Sequence, residues 1–145
     1  MKPLPKSEDS LVLRTDFSDD AAWESLCAAI RAPIHEPGTG AVRAYVECIS
    51  DRAYEGLTAE QIIAACLGQP WNPRVLFVID RIALTTPERP VLVVNLGRYE
   101  TGRTFRVIPS QVQGVENNLS IGNMDFEEFA DNADPDGVFR GFKES

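Results

Sequence analysis

Asp16, Asp80 and Asn95 each stand at or just past the end of an apolar run, residues 11–15, 75–79 and 91–94. In a parallel sheet such strand ends converge on the crevice where ligands bind. Carboxylates gathered there could hold Mg²⁺ for phosphoryl chemistry or line a small-ligand pocket. That chemistry needs strands that run the same way. Thr85-Thr86-Pro87-Glu88-Arg89-Pro90 is too short for a crossover helix, so the runs at 75–79 and 91–94 are expected to be antiparallel. Antiparallel pairing sends Asp80 and Asn95 to opposite ends. No lysine stands nearby to neutralise a phosphate. The simpler expectation is that Asp16 helps to start a helix and that Asp80 and Asn95 end strands.

Two loops imitate ligand motifs. Residues 97–104, Gly-Arg-Tyr-Glu-Thr-Gly-Arg-Thr, nearly spell a phosphate-binding loop, with Arg103 where lysine belongs. A strand-like run, Phe105-Arg106-Val107-Ile108-Pro109, follows it where a helix should. Without a helix N-terminus the cradle loses its dipole and amides, so a hairpin turn with two glycines is expected. Gly38-Thr39-Gly40 is a lesser glycine pair leading into a strand. Asn132-Ala133-Asp134-Pro135-Asp136-Gly137 opens like a calcium loop, but Lys143 occupies the twelfth position and Glu144 comes one residue late. A turn on Asp-Pro-Asp-Gly is expected instead. No metal or cofactor is assigned.

His35 is the only histidine and lies among Pro33, Pro37 and Gly38, where an exposed loop is expected. No nucleophile motif accompanies any serine. Cys27, Cys48 and Cys66 are odd in number and scattered, without CxxC spacing. That pattern fits neither a disulfide framework nor a zinc site and points to free, packing thiols in a reducing cytoplasm.

The elements that must position these residues follow from periodicity and caps. Residues 1–10 are polar and proline-containing and read as a flexible arm; residues 11–145 read as one domain. Residues 11–15 form a strand, and Ser18 is expected to cap the following helix, with Asp19 and Asp20 in its first turn. Trp23, Leu26, Cys27 and Ile30 make the apolar face of that helix, which Pro33 stops. Residues 33–40 read as a loop. Residues 42–49 alternate, with Val42, Ala44, Val46 and Cys48 on one face. Thr58 and Gln61 spell a capping box, and Leu57 and Ile62 a hydrophobic staple; Gly68 and Pro70 end the helix they open. The continuous runs 75–79 and 91–94 read as strands covered on both faces, and 104–108 as a hairpin partner. Asp125 and Glu128 are spaced as a cap and its reciprocal acid, with Phe126 and Phe129 on one side. The order β-α-β-α-β-β-β-α gives an α/β domain with a mixed sheet and helices packed on it.

Charge narrows the partners. The net charge is −8, with a sequence pI near 4.6. A surface of that sign repels nucleic-acid phosphates and anionic membranes. The opening residues carry no apolar run, so no signal peptide is expected, and the longest apolar runs are too short to span a bilayer. Six arginines, Arg74, Arg81, Arg89, Arg98, Arg103 and Arg106, concentrate around the hairpins. The C-terminal region carries Glu116, Asp125, Glu127, Glu128, Asp131, Asp134 and Asp136. Part of that acidic segment is expected to lie against the arginines, and the remainder to be available to a basic partner.

The runs Leu11-Val12-Leu13-Arg14-Thr15-Asp16-Phe17-Ser18-Asp19, Phe105-Arg106-Val107-Ile108-Pro109-Ser110, Val115-Glu116-Asn117-Asn118-Leu119-Ser120-Ile121, Asn123-Met124-Asp125-Phe126-Glu127-Glu128-Phe129 and Gly137-Val138-Phe139-Arg140-Gly141-Phe142 resemble a family of small actinobacterial proteins that share a domain of unknown function. The resemblance covers nearly the whole chain and implies a cytoplasmic bacterial protein; it carries no activity, cofactor or catalytic residue. The asparagine-leucine-serine stretch before Asn123 is also similar to bacterial toxin-immunity proteins. The expectation is a non-enzymatic protein-binding module, immunity-like or regulatory. In it, Glu116, Asp125, Glu127, Glu128 and Asp131 would meet a basic protein partner. The alternative is a small metal-assisted enzyme or ligand-binding protein using Asp16, Asp80 and Asn95, and a third possibility is an oligomeric structural subunit.

Overall fold

A computed structural model describes residues 1–38, 40–67 and 73–143. A six-stranded mixed sheet has helices on both faces, in the order β4-β1-β5-β6-β7-β8. Its strands are β1 (Ser10–Arg14), β4 (Val46–Ile49), β5 (Val75–Ile79), β6 (Val91–Asn95), β7 (Thr104–Val107) and β8 (Val138–Phe139). β1 lies parallel to both β4 and β5; β6 is antiparallel to β5 and to β7; β8 returns parallel to β7. β2 (Ile34–Glu36) and β3 (Gly40–Val42) form a separate hairpin.

Strand alternation sorts the core into two layers. Val12, Phe77, Ile79, Val91, Val93, Phe105 and Val107 face α1 (Asp20–Arg31), α3 (Arg81–Thr85), α4 (Val112–Ser120) and α5 (Phe126–Ala130). Leu11, Leu13, Leu76, Val78, Leu92 and Val94 face α2 (Ala59–Cys66) and Tyr54. β5 and β6 are fully buried because both faces are covered, as the unbroken hydrophobicity of 75–79 and 91–94 implies; Asn95, which ends β6, is buried with them. Thr58 closes its capping box with Gln61, and partly buried Leu57 joins the same core layer as Ile62. Residues 68–72, including Gly68 and Pro70, lie outside the described residues, as do Thr39 and Glu144.

Several local expectations change. Asp19, not Ser18, caps α1, accepting from the Ala22 N–H at 3.0 Å; Ser18 is taken by Asp16 instead. The stretch 33–40 is not all loop, because Ile34 pairs with Val42 and His35 with Ala41, so His35 is exposed on a strand. The alternating run 42–49 breaks between Val42 and Val46, although Ala44 and Val46 stay buried while Arg43, Tyr45 and Glu47 face outward. A five-residue helix, α3, sits in the antiparallel β5–β6 connection, and β8 adds a strand after the last helix. In the amino-terminal segment, Leu4 is buried against the α2 layer, the Pro3 carbonyl accepts from the Tyr54 hydroxyl at 2.7 Å, and Ser10 begins β1.

Candidate functional site

The sheet has two ends that could carry chemistry. At one, β1 and β5 terminate side by side, which places Asp16 and Asp80 at the same edge. Asn95 does not join them. Antiparallel register sets Asn95 opposite Val75, at the start of β5, whereas Asp80 follows its last residue. The length of β5 separates them, about 16 Å at the usual rise per residue. The three residues therefore form no common pocket.

Both carboxylates at that edge are engaged. Asp16 accepts from the Ser18 N–H and hydroxyl, and these bonds hold its carboxyl below the usual range. Asp80 caps α3 through the Ala83 N–H at 3.1 Å and receives Arg106 as a fork, Nη1 to Oδ1 at 3.0 Å and Nη2 to Oδ2 at 2.7 Å. Beside them Arg14, only 3% exposed, donates to the Asp16 carbonyl, the Ser50 hydroxyl and Asp20. Its guanidinium also lies 4.3 Å from the Phe17 ring centroid and 5.3 Å from that of Trp23. Asp16, Asp80 and Arg14 are thus each held by partners within the fold. Among the described residues no three histidine, cysteine or acidic side chains group to hold a metal.

The opposite end opens into a cleft of about 910 Å³. Its walls are Pro73 and Arg74 before β5, residues 95–101 between β6 and β7, and the α4–α5 junction from Leu119 to Glu127. Asn95 builds the hairpin wall. Its Nδ2 donates to the Tyr99 carbonyl at 2.6 Å and the Glu100 carbonyl at 3.2 Å, and its Oδ1 accepts from the Gly97 N–H at 2.9 Å. The loop resembling a phosphate cradle is thus a hairpin turn closed on Asn95, with the Gly102 N–H on the Asn95 carbonyl at 2.8 Å. Tyr99 is thrust outward, 79% exposed, with the Arg98 guanidinium over its ring.

The α4–α5 wall is the run 115–130, and most of its polar residues serve the framework. Glu116 is 2% exposed; it accepts from the Tyr45 N–H at 2.7 Å, the Ser10 hydroxyl at 2.8 Å and Asn117 Nδ2 at 2.9 Å. Asn117 also reaches the Arg43 carbonyl. Asn118 makes the turn, since its carbonyl accepts the Asn123 N–H at 2.9 Å and its side chain meets that of Asn123 at 2.8 Å. Gly122, at φ +71°, completes it. A Cβ there would lie 2.7 Å from Arg74 Nη1. Phe126 and Phe129 then enter an aromatic cluster with Phe105 and Phe139, at centroid separations of 5.0 to 6.5 Å.

These placements divide the five acids expected to face a partner. Glu116 is corrected to a buried structural acceptor. Asp131 is exposed but ion-paired to Arg103. Asp125 stands at the first position before α5 without a side-chain capping bond; its carbonyl takes the Glu128 N–H at 3.0 Å, so the reciprocal cap is absent. Asp125, Glu127 and Glu128 are exposed and carry no ion pair among the described residues, and the first two line the cleft. Farther along, Asp134 and Asp136 do not form a calcium loop. The Gly137 N–H closes a turn on the Asp134 carbonyl at 2.8 Å; Arg140 bonds Glu88 and Asp136 and holds their carboxyls below the usual range, and Lys143, with Arg140 beside it, does the same for Asp134.

The cleft also uses residues that the sequence did not single out, namely Tyr99, Gly122, Leu67 and the neighbouring Ile121, which is 76% exposed. A tyrosine lifted between two glycines was the available signal for the first.

The model of a domain of unknown function, DUF6924, matches residues 9–142. The chain belongs to that family. The match spans both sheet ends and the whole α4–α5 wall, so the cleft is built from family sequence throughout. No curated protein and no solved structure matches the chain. No helix among the described residues is long and apolar enough to cross a membrane.

Proposed function

We propose that this protein is a non-enzymatic binding module, immunity-like or regulatory and working in the cytoplasm, whose cleft receives a basic segment of a protein partner. One observation carries the reading. Glu116, Asp131, Asp134 and Asp136 are bonded within the fold, whereas Asp125, Glu127 and Glu128 have no cation partner among the described residues. Asp125 and Glu127 line a cleft with Tyr99, Glu128 follows directly in α5, and exposed Ile121 lies next to the lining, so that Tyr99 and Ile121 supply apolar contact. A net charge of −8 adds long-range attraction for a basic partner.

Peptides carrying lysine and arginine, selected by display against the folded protein, provide the test. A selected peptide should lose about tenfold or more in affinity on the double reversal Glu127→Lys/Glu128→Lys. It should bind normally after reversal of the exposed acids Glu24 and Glu60 on α1 and α2. Equal loss in both double variants would reduce the effect to bulk charge and remove the cleft from the account.

A second reading keeps the same cleft but fills it with a small ligand. Its volume lies within the range of small-molecule sites, roughly 300–1,000 Å³, and Arg74 and Asp125 give it charges of both signs. Thermal-shift screening distinguishes this reading, since a ligand of the folded state raises Tm.

A further inference from the structure

The cleft carries cations as well as acids. Arg74 and Arg98 line it beside β5 and in the β6–β7 hairpin, and Asp125 and Glu127 line it at the start of α5. Among the described residues none of these four has an ion-pair partner, so the two signs do not neutralise each other across the cleft. Glu100, also in the lining, is held by Arg103.

Arg74 is seated by backbone and not by an acid. Its carbonyl accepts the Leu96 N–H at 3.0 Å, one residue before β5 begins. Its guanidinium fills the notch that Gly122 leaves in the α4–α5 turn, where a Cβ would stand 2.7 Å from Nη1 and 3.4 Å from Cζ. Asp125 follows Gly122 in the same turn. The chain between them spans at most about 11 Å, so the seated cation and the first free acid are close. An extended peptide advances about 3.3 Å per residue and can touch both.

We propose that the occupant of the cleft is a mixed-charge peptide segment. Its lysines or arginines meet Asp125 and Glu127, and an aspartate or glutamate about two to four positions away meets the Arg74 guanidinium. The proposal rests on the reading of the cleft as a site for a basic segment and specifies that segment further. A guanidinium is a planar fork that matches a carboxylate. Arg98, exposed with its guanidinium 5.8 Å from the Tyr99 ring centroid, adds positive potential on the same wall. A wholly basic segment would set a cation against Arg74, so the acid also discriminates between basic partners.

The test selects a displayed random peptide library against the full chain and against Arg74→Ala. Peptides held by the parent should be rich in lysine and arginine and carry an acid about two to four positions away. Peptides held by Arg74→Ala should keep the basic residues and lose the acid. A selected peptide is then made with acetylated and amidated ends, which leaves side chains as its only carboxylates. Replacing its acid by the matching amide should weaken binding to the parent about tenfold and leave binding to Arg74→Ala unchanged. Arg74→Gln repeats the comparison if alanine unsettles the turn. Selected basic peptides without an acid at that spacing would overturn the inference and leave the basic-segment reading standing. So would an amide effect as large on both Arg74 variants as on the parent. Failure to select basic peptides at all would overturn both.

Discussion

Glu116 accepts the Tyr45 backbone N–H at 2.7 Å, joining α4 to the start of β4 across 71 positions of the chain. The same carboxylate takes the Ser10 hydroxyl at the first residue of β1. One acid thereby fixes the edge of the sheet to the helix that leads into the cleft wall. Burying it is tolerable because both oxygens have donors.

Glu116→Ala should therefore act on stability. Leaving the Tyr45 N–H and Ser10 hydroxyl without an acceptor costs about 1–3 kcal/mol. Urea unfolding should show a lower midpoint at an unchanged slope. A variant as stable as the parent would mean that water enters and replaces the carboxylate.

Gly122 is the second position where the wall is exacting. Alanine there meets Arg74 and must adopt a positive φ, so a loss of about 1–3 kcal/mol is expected. Adding Arg74→Ala should recover only the steric part. A double-mutant cycle separates the two causes, and strict additivity would show that Arg74 simply moves aside.

Asp16 predicts a pH dependence. Its folded carboxyl titrates below its ordinary value because Ser18 donates to it. A depressed folded value stabilises above the unfolded pKa, near about 4, and that contribution is lost as pH falls through the folded value. Asp16→Asn should flatten the stability profile on this acid side and leave its shape at neutral pH alone. Acid titration followed by circular dichroism measures it, and an unchanged acid slope would contradict the assignment.

What could be read from the sequence was largely local or strongly periodic. Thr58 and Gln61 announced their helix because a capping box is complete within four residues. Residues 75–79 and 91–94 announced buried strands because both faces had to be apolar, and the short link between them gave the antiparallel turn that parts Asp80 from Asn95. The β2–β3 hairpin was hidden by Pro33, Pro37 and the flanking glycines, which signal loop wherever pairing does not override them. Ser18 and Asp19 are both good caps, and the choice fell to Asp19 once Asp16 had engaged Ser18. The burial of Glu116 depends on Ser10 and Tyr45, both remote in sequence, so its acidity looked like surface charge. The cleft itself joins segments near 74, 98 and 122, a relationship that no local pattern carries.

The central claim is that the Asp125, Glu127 and Glu128 carboxylates are available to a partner because no cation among the described residues pairs with them. Affinity for a display-selected basic peptide, measured by fluorescence anisotropy on the parent, on Glu127→Lys/Glu128→Lys and on Glu24→Lys/Glu60→Lys, tests it most directly. The account predicts a loss of about tenfold or more for the first pair and parent-like affinity for the second. Undiminished binding to Glu127→Lys/Glu128→Lys would contradict it.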